Sequence, residues 1–267
     1  MKSLRLDKYL ADMGIGTRSE IKEKIKKGLV TVNGETAGRP EVRVTPGEDQ
    51  VTVNGVVVSY ATFSYYMLNK PAGCVSATED LRHETVLDLI DEPGKKDLFP
   101  VGRLDIDTEG LLLLTDDGKL DYSILQSGHH VEKRYFFRAF GDITDEDARR
   151  LENGIELYHK NYNAMPAKYE PAGKCTVRDV FSLLPAKRRA KWMKNPEGPV
   201  SCGYLTVTEG KKHQIKLMIK SVGCHVFTLK RVSLGGLSLD EGLAPGEWRY
   251  LTDDDLSLLG YTPPVKA

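Results

Sequence analysis

The stretch GRLDIDTEGLLLLTDDG, Gly102 to Gly118, decides how the rest of the chain is read. Leu111 to Leu114 is a continuous apolar run of strand length, bounded by Gly110 and by the turn sequence Asp116-Asp117-Gly118. A strand that is apolar on both faces belongs inside a core. The segment before it, Arg103-Leu104-Asp105-Ile106-Asp107, must then emerge where that core meets solvent or a ligand. Asp105, Asp107 and Glu109 alternate, which on a strand would put three carboxylates on one face. A glycosidase-like pair needs carboxylates opposed across a sugar, not neighbours on one strand. Asp107 and Glu109 therefore read as scaffolding near a turn at Thr108-Glu109-Gly110, which leaves a single carboxylate of this stretch for chemistry. A rigid strand holding a carboxylate at its edge is a sound way to position it.

Working outward, the 267 residues suffice for one large domain or two unequal ones. The 38 basic and 38 acidic residues cancel, so local charge must indicate any anionic partner. Cys74, Cys175, Cys202 and Cys224 lie far apart without a CxxC pair, which speaks against a zinc ribbon and fits reduced thiols. No apolar run approaches the length of a membrane span, and the N-terminus lacks a signal-peptide core, so no membrane partner and a cytoplasmic location are expected. There is no HExxH, Walker-type loop or dinucleotide glycine fingerprint, and His129-His130, His213 and His225 lack ligand spacing, so no metal site is expected. No cysteine sits in a nucleophile context.

Residues 1–60 read as a separate small domain, with 61–64 as a linker. Leu6, Leu10 and Met13 give a first helix, stopped by Gly14 and Gly16. Thr17 with Glu20 is a capping box, and the helix Arg18 to Lys27 turns Ile21 and Ile25 inward. Its outer face carries Arg18, Lys22, Lys24, Lys26 and Lys27 against Glu20 and Glu23. Short β-branched runs follow, and the pairs Asn33-Gly34 and Asn54-Gly55 signal hairpins.

From residue 65 to 267 the pattern is that of a larger α+β domain. Tyr65 to Leu68 is strand-like and Asn69-Lys70-Pro71-Ala72-Gly73 breaks it. Glu84 to Ile90 has the spacing of a short amphipathic helix, with Val86, Leu87 and Ile90 inward. Glu132 to Phe140 alternates as a strand, Thr144 caps a helix that ends before Gly154, and 200–208 is a further strand. After His213, Ile215, Met218, Ile219 and Val222 form an inward helical stripe, with Lys212, Lys216 and Lys220 on the polar side. Between Glu209 and Asp240 there are six basic residues and no acid, and 180–196 holds a second basic island of Lys187, Arg188, Arg189, Lys191 and Lys194. Thr252 should cap a last helix. Charge segregated in this way suggests one face for an anionic ligand, the plain alternative being a solvated lysine face.

RLDKYLADMG, TRSE and GLVTVNG, in the order and spacing found here, resemble the alpha-L (S4-like) RNA-binding motif. Further stretches are similar to the pseudouridine synthases, in particular the ribosomal small-subunit branch: YYMLNKPAGCVSAT at 65–78, VGRLDIDTEGLLLLTDDG at 101–118, EKRY at 132–135, and the segment from EGKKHQIKLMIKSVG to GEWRYLT at 209–252. The resemblance implies a small S4-like domain followed by a catalytic domain with a mixed, mainly antiparallel sheet flanked by helices. It implies isomerisation of uridine to pseudouridine in RNA without a cofactor, acting as a monomer on rRNA. The expected target is a 516-type uridine of 16S rRNA, in a small-subunit precursor or assembly intermediate. A 23S rRNA synthase is the alternative enzyme, and a non-catalytic rRNA-binding or assembly factor the alternative outside enzymes.

Carried onto this sequence, the resemblance makes Asp105 the catalytic carboxylate, Tyr135 the base-stacking tyrosine, and Lys216 the partner of Asp105. Arg103, Lys133 and Leu229 become substrate-binding residues, Leu229 packing under the base. RNA phosphates fall to Arg18, Lys22, Lys26, Lys27, Lys212 and Lys220. The segment 172–200 is longer than this branch leads one to expect and reads as an inserted basic hairpin.

Overall fold

The four leucines that decide the reading lie at the centre of a sheet and are each 0% exposed. A computed structural model describes residues 3–58, 63–91, 97–126, 128–157, 160–184, 186 and 189–263. Residues 61 and 62 of the expected join at 61–64, together with Lys187 and Arg188 of the basic island, lie outside the described residues. Cα packing divides the chain into two units, the first running to Phe63 and the second from Ser64 to Thr262.

In the first unit, β1 (Leu4–Arg5) leads into α1 (Leu6–Asp12) and α2 (Arg18–Lys26). Thr17 Oγ1 accepts from the Glu20 amide while the Glu20 carboxylate accepts from the Thr17 amide, the reciprocal cap read from the sequence. Next come β2 (Val30–Val32), β3 (Glu35–Thr36), β4 (Arg43–Val44), β5 (Val51–Val53) and β6 (Val56–Val58). The strands β3-β2-β5-β6 form a small antiparallel sheet, and β1 pairs with β4. Asn33-Gly34 and Asn54-Gly55 all have positive φ, the geometry of type I′ turns, and they set the β2–β3 and β5–β6 registers. Leu6, Leu10, Ile21, Ile25, Val30 and Val51 close the core of this unit. Arg18, Lys22 and Lys26 of α2 and Lys27 at its C-terminal cap remain exposed.

The second unit begins with β7 (Tyr65–Lys70), which continues two residues past the expected strand end at Leu68. It is followed by β8 (Phe99–Val101), β9 (Glu109–Thr115) and α3 (Gly118–Leu125). After these come β10 (Lys133–Phe140), α4 (Asp145–Glu152), β11 (Ile155–Glu156), β12 (Asn163–Ala164) and β13 (Lys168–Thr176). The chain ends with α5 (Arg189–Trp192), β14 (Pro199–Val207), α6 (Gln214–Ser221), β15 (His225–Leu234), β16 (Leu237–Ser238), β17 (Trp248–Tyr250) and α7 (Asp253–Leu258). No helix among the described residues is long and apolar enough to cross a membrane.

The main sheet has the order β13-β14-β10-β15-β9-β7-β17, with β16 on β15 and β8 on β9. It is mixed but mainly antiparallel, its parallel pairing being β15 against the start of β9, Lys230 to Glu109 and Arg231 to Gly110. Gly110 makes that pairing possible: its φ is 100°, and a Cβ there would run into the Arg231 carbonyl oxygen. On one face of the sheet, Phe137, Leu205, Val207 and Leu229 pack against Ile215, Met218 and Ile219 of α6 and Leu151 of α4. Tyr66, Leu68, Leu112 and Leu114 pack against Val86, Ile90, Leu98 and Leu104 from the long β7–β9 connection. Burial of side chains this size stabilises the fold by about 1.5–3 kcal/mol apiece.

Three local expectations are corrected. Residues 84–90 form turns, not a helix. Thr85 donates its amide and hydroxyl to Asp88 Oδ2 and bridges Val75, so Val86 and Ile90 reach the core without helical geometry. The turn before β9 falls at Ile106-Asp107, and Glu109 and Gly110 are already strand. Asp117 does not simply close a turn; it caps α3 through the Lys119 amide. The basic segment 172–200 joins two neighbouring antiparallel strands. Its ends belong to the sheet edge as β13 and β14, and Trp192 of the connection stacks on Phe140 with ring centroids 3.6 Å apart. Arg189 spends its guanidinium on the Leu184 and Ser182 carbonyls.

Candidate active site

The loop 102–108 between β8 and β9 is shaped by what holds its backbone. Leu104 is driven inward into the cluster of Leu68, Leu112 and Leu114, which turns its neighbours Arg103 and Asp105 outward. Ser76 Oγ accepts from the Leu104 amide and donates to the Leu104 carbonyl, both at 3.1 Å. The Gly73 amide donates to the Ile106 carbonyl at 2.7 Å, and the Thr108 amide to the Asp105 carbonyl at 3.0 Å.

Beneath the loop lies Lys70, 0% exposed at the end of β7. Its ammonium donates to the carbonyls of Pro71 (3.0 Å), Asp105 (3.2 Å) and Thr108 (2.9 Å). Burial pushes the Lys70 pKa below the ordinary lysine value, while Cys74, Asp107, Glu109 and Asp105 pull it back up. Sequence reasoning missed Lys70 and Ser76. A lysine at the end of the run YYMLNK reads as a solvated strand end, and only its place in an otherwise apolar strand hinted at more.

Across the cleft, α6 begins at Gln214, and its first turn brings Lys216 toward the loop. Lys216 Nζ lies 2.8 Å from Asp105 Oδ2 and 2.5 Å from Asp107 Oδ1. Burial lowers the Lys216 pKa, yet the two carboxylates outweigh it and leave the value above that of an ordinary lysine. Burial likewise pushes the Asp107 carboxyl up, but Lys216 and His213 hold it below the usual carboxylate range. The ammonium therefore stays charged between two carboxylates at neutral pH. The expected Asp105–Lys216 pair is present, and Asp107, read from sequence as scaffolding, shares the same ammonium. The other oxygen of Asp105, Oδ1, is 3.4 Å from His213 Nε2.

The cleft between loop and helix is lined by Arg103, Asp105, Tyr135, Leu229, His213 and Lys216, among others. Tyr135 stands on β10 opposite Leu205 of β14, its ring partly buried between the two main clusters of the sheet. Leu229 of β15 lies at the floor, 6% exposed. Lys133 does not line the cleft: it is buried, donates to the Val131 carbonyl at 2.8 Å, and is held below the ordinary lysine pKa by burial and by Arg231. Lys211 lines the cleft, whereas Lys212 is exposed without lining it and Lys220 is half-buried farther along α6. No group of three His, Cys, Asp or Glu side chains among the described residues could hold a metal ion. What the cleft offers is a carboxylate fixed by a cation, beside an aromatic face and an apolar floor, under a basic rim.

A family model described as RNA pseudouridylate synthase matches residues 64–221, and an S4 domain model matches residues 4–50. A Bacillus subtilis (strain 168) protein named as an uncharacterized RNA pseudouridine synthase, YtzG, is 43% identical over 257 residues, 96% of this chain and 98% of its own. Ribosomal small subunit pseudouridine synthase A of Escherichia coli (strain K12) is 34% identical over 254 residues, 95% of this chain and 99% of its own. A crystal structure of a pseudouridylate synthase superposes with a TM-score of 0.61 at 32% identity, covering 96% of this chain and 100% of that one.

Proposed function

The chain belongs to the RNA pseudouridylate synthase family, and we propose that the uridine it isomerises lies in 16S rRNA, with Asp105 as the reacting carboxylate. As a pseudouridine synthase with an S4 domain, it acts on RNA. The observation that carries the site assignment is the Lys216 ammonium 2.8 Å from Asp105 in a cleft walled by Tyr135 and Leu229. The small-subunit target is supported by relatives named ribosomal small subunit pseudouridine synthase A, which align over nearly their full length.

The reaction breaks the bond between C1′ and N1 and joins C1′ to C5; N1 gains a proton and C5 gives one up. Asp105 acts at C1′, as a nucleophile or by assisting cleavage. Lys216, with its ammonium 2.8 Å from Oδ2, orients it. The uridine leaves its stack at a cost of a few kcal/mol, offset in part by the Tyr135 ring, since base–aromatic stacking contributes about 1–3 kcal/mol. Leu229 packs under the base, and Arg103 braces the flipped nucleotide. Lys133, buried and outside the cleft wall, supports the end of β10 instead of touching substrate. Arg18, Lys22, Lys26, Lys27, Lys212 and Lys220 supply phosphate contacts, so affinity falls as salt rises.

The test is a map of pseudouridines in both rRNAs from a strain lacking the gene. One 16S position is expected to be lost and to return with the wild-type gene. Loss at a 23S position would transfer the target to the large subunit, and no loss in either would remove rRNA as the substrate. In vitro, Lys216→Ala is expected to lower kcat about a hundredfold while leaving the Kd for RNA within a few-fold. Equal losses in both would recast Lys216 as a phosphate ligand.

A further inference from the structure

His213 immediately precedes α6 and has a left-handed backbone, φ 58° and ψ 23°. An L-residue in this region carries a penalty of about 1–2 kcal/mol that glycine avoids. Asn33 and Asn54, which share the conformation, make hairpin turns, where asparagine is an ordinary choice. A ring at such a position persists only where its surroundings hold it, and strain of this kind collects at functional sites.

The surroundings do hold it. The Glu209 carboxylate accepts from Gln214 Nε2 and from the Met165 amide, both at 2.9 Å, and from the Tyr162 hydroxyl. Gln214 Oε1 in turn accepts from the Lys211 amide at 3.1 Å, and Gln214 is 4% exposed. The 209–214 turn is thus pinned from both sides of His213.

The imidazole does not use this position to cap its helix, since it makes no side-chain cap hydrogen bond. It reaches Asp105 instead, with Nε2 at 3.4 Å from Oδ1, while Lys216, three residues on, holds Oδ2 at 2.8 Å. Rotation of a carboxylate about its last bond is soft. One cation on one oxygen leaves that rotation open, and a second donor on the other oxygen closes it.

We infer that His213 is a positioning residue for the reaction: with Lys216 it holds Asp105 by both oxygens, so that the plane of the reacting carboxylate is set by the start of α6. The inference rests on Asp105 being the reacting carboxylate.

Two substitutions separate the ring from the turn. His213→Gly accepts the left-handed backbone without strain and removes only the imidazole. Its Tm is expected to equal or exceed that of the wild type, with RNA Kd within twofold and kcat lowered about tenfold or more. His213→Gln returns a donor at similar reach, and recovery of a substantial part of kcat is expected. A kcat within twofold of wild type in His213→Gly would overturn the inference, leaving the ring a mere tenant of the turn. So would a loss confined to Kd, which would make His213 an RNA ligand. So would a folded His213→Gln no faster than the glycine variant. Asp105→Asn, assayed beside them, keeps the two questions apart: an inactive Asp105→Asn with a fully active His213→Gly sinks this inference alone, and an active Asp105→Asn sinks the reading beneath it.

Discussion

Asp105→Asn is expected to reduce pseudouridine formation by about a thousandfold or more, because it removes the group proposed to act at C1′. The substitution is nearly isosteric and leaves the loop as it is. The contacts that shape the loop run through the Leu104, Asp105, Ile106 and Thr108 backbone to Ser76, Gly73 and Lys70, not through the Asp105 carboxylate. Lys216 would keep Asp107 as a partner at 2.5 Å, so its ammonium is not left as an unpaired buried charge. The Tm should therefore change little, and the Kd for RNA should stay within a few-fold. Single-turnover formation of pseudouridine at saturating enzyme reads the chemistry, and filter binding reads the affinity. A variant that modified RNA at the normal rate would exclude the proposed chemistry. One that failed equally in binding would mean that Asp105 holds RNA and does not react with it.

Elements of both units were legible where local chemistry and tertiary packing agree. Thr17 with Glu20 forms its cap, both Asn-Gly pairs form their turns, and the Ile215, Met218 and Ile219 stripe lies against the sheet. In each case neighbouring residues fix the outcome. The Asp105–Lys216 pair came from family resemblance, since 111 residues of chain separate the two and no periodicity joins them. The parallel pairing of β15 with β9 is illegible for the same reason, although Gly110 marks the place where two backbones approach.

Where local pattern and tertiary context diverge, pattern misleads. Val86, Leu87 and Ile90 have helical spacing, yet the bridge from Thr85 to Val75 and the Thr85–Asp88 contacts satisfy that backbone in turns. Asp107 passes for a loop acid until Lys216 is seen between it and Asp105. A buried lysine is the hardest case, because the sequence of a solvated lysine looks the same.

Lys70→Met is the sharpest test of that hidden residue. Methionine matches the length and apolar stem of the side chain and deletes the ammonium that the Pro71, Asp105 and Thr108 carbonyls share. The Asp105 carbonyl keeps the Thr108 amide. Each buried carbonyl left without a donor costs about 1–3 kcal/mol. Against this, the variant no longer has to desolvate a cation, the effect that lowers the Lys70 pKa. A net loss of about 2–4 kcal/mol is expected by denaturant titration, since more than one carbonyl is orphaned. The effect on turnover should be larger in proportion. Displacing the loop by about 1 Å misaligns Asp105 and can cost about a hundredfold in kcat even where the protein is fully folded. The pH dependence carries a sign as well. With its pKa lowered on folding, Lys70 binds its proton more tightly in the unfolded chain, so wild-type stability gains relative to Lys70→Met as pH rises from the folded pKa toward the ordinary lysine value. Equal kcat in the folded variant would show that the Leu104–Ser76 clasp suffices to hold Asp105. A wild-type advantage that shrank with rising pH would show that Lys70 is stabilised, not strained, by its burial.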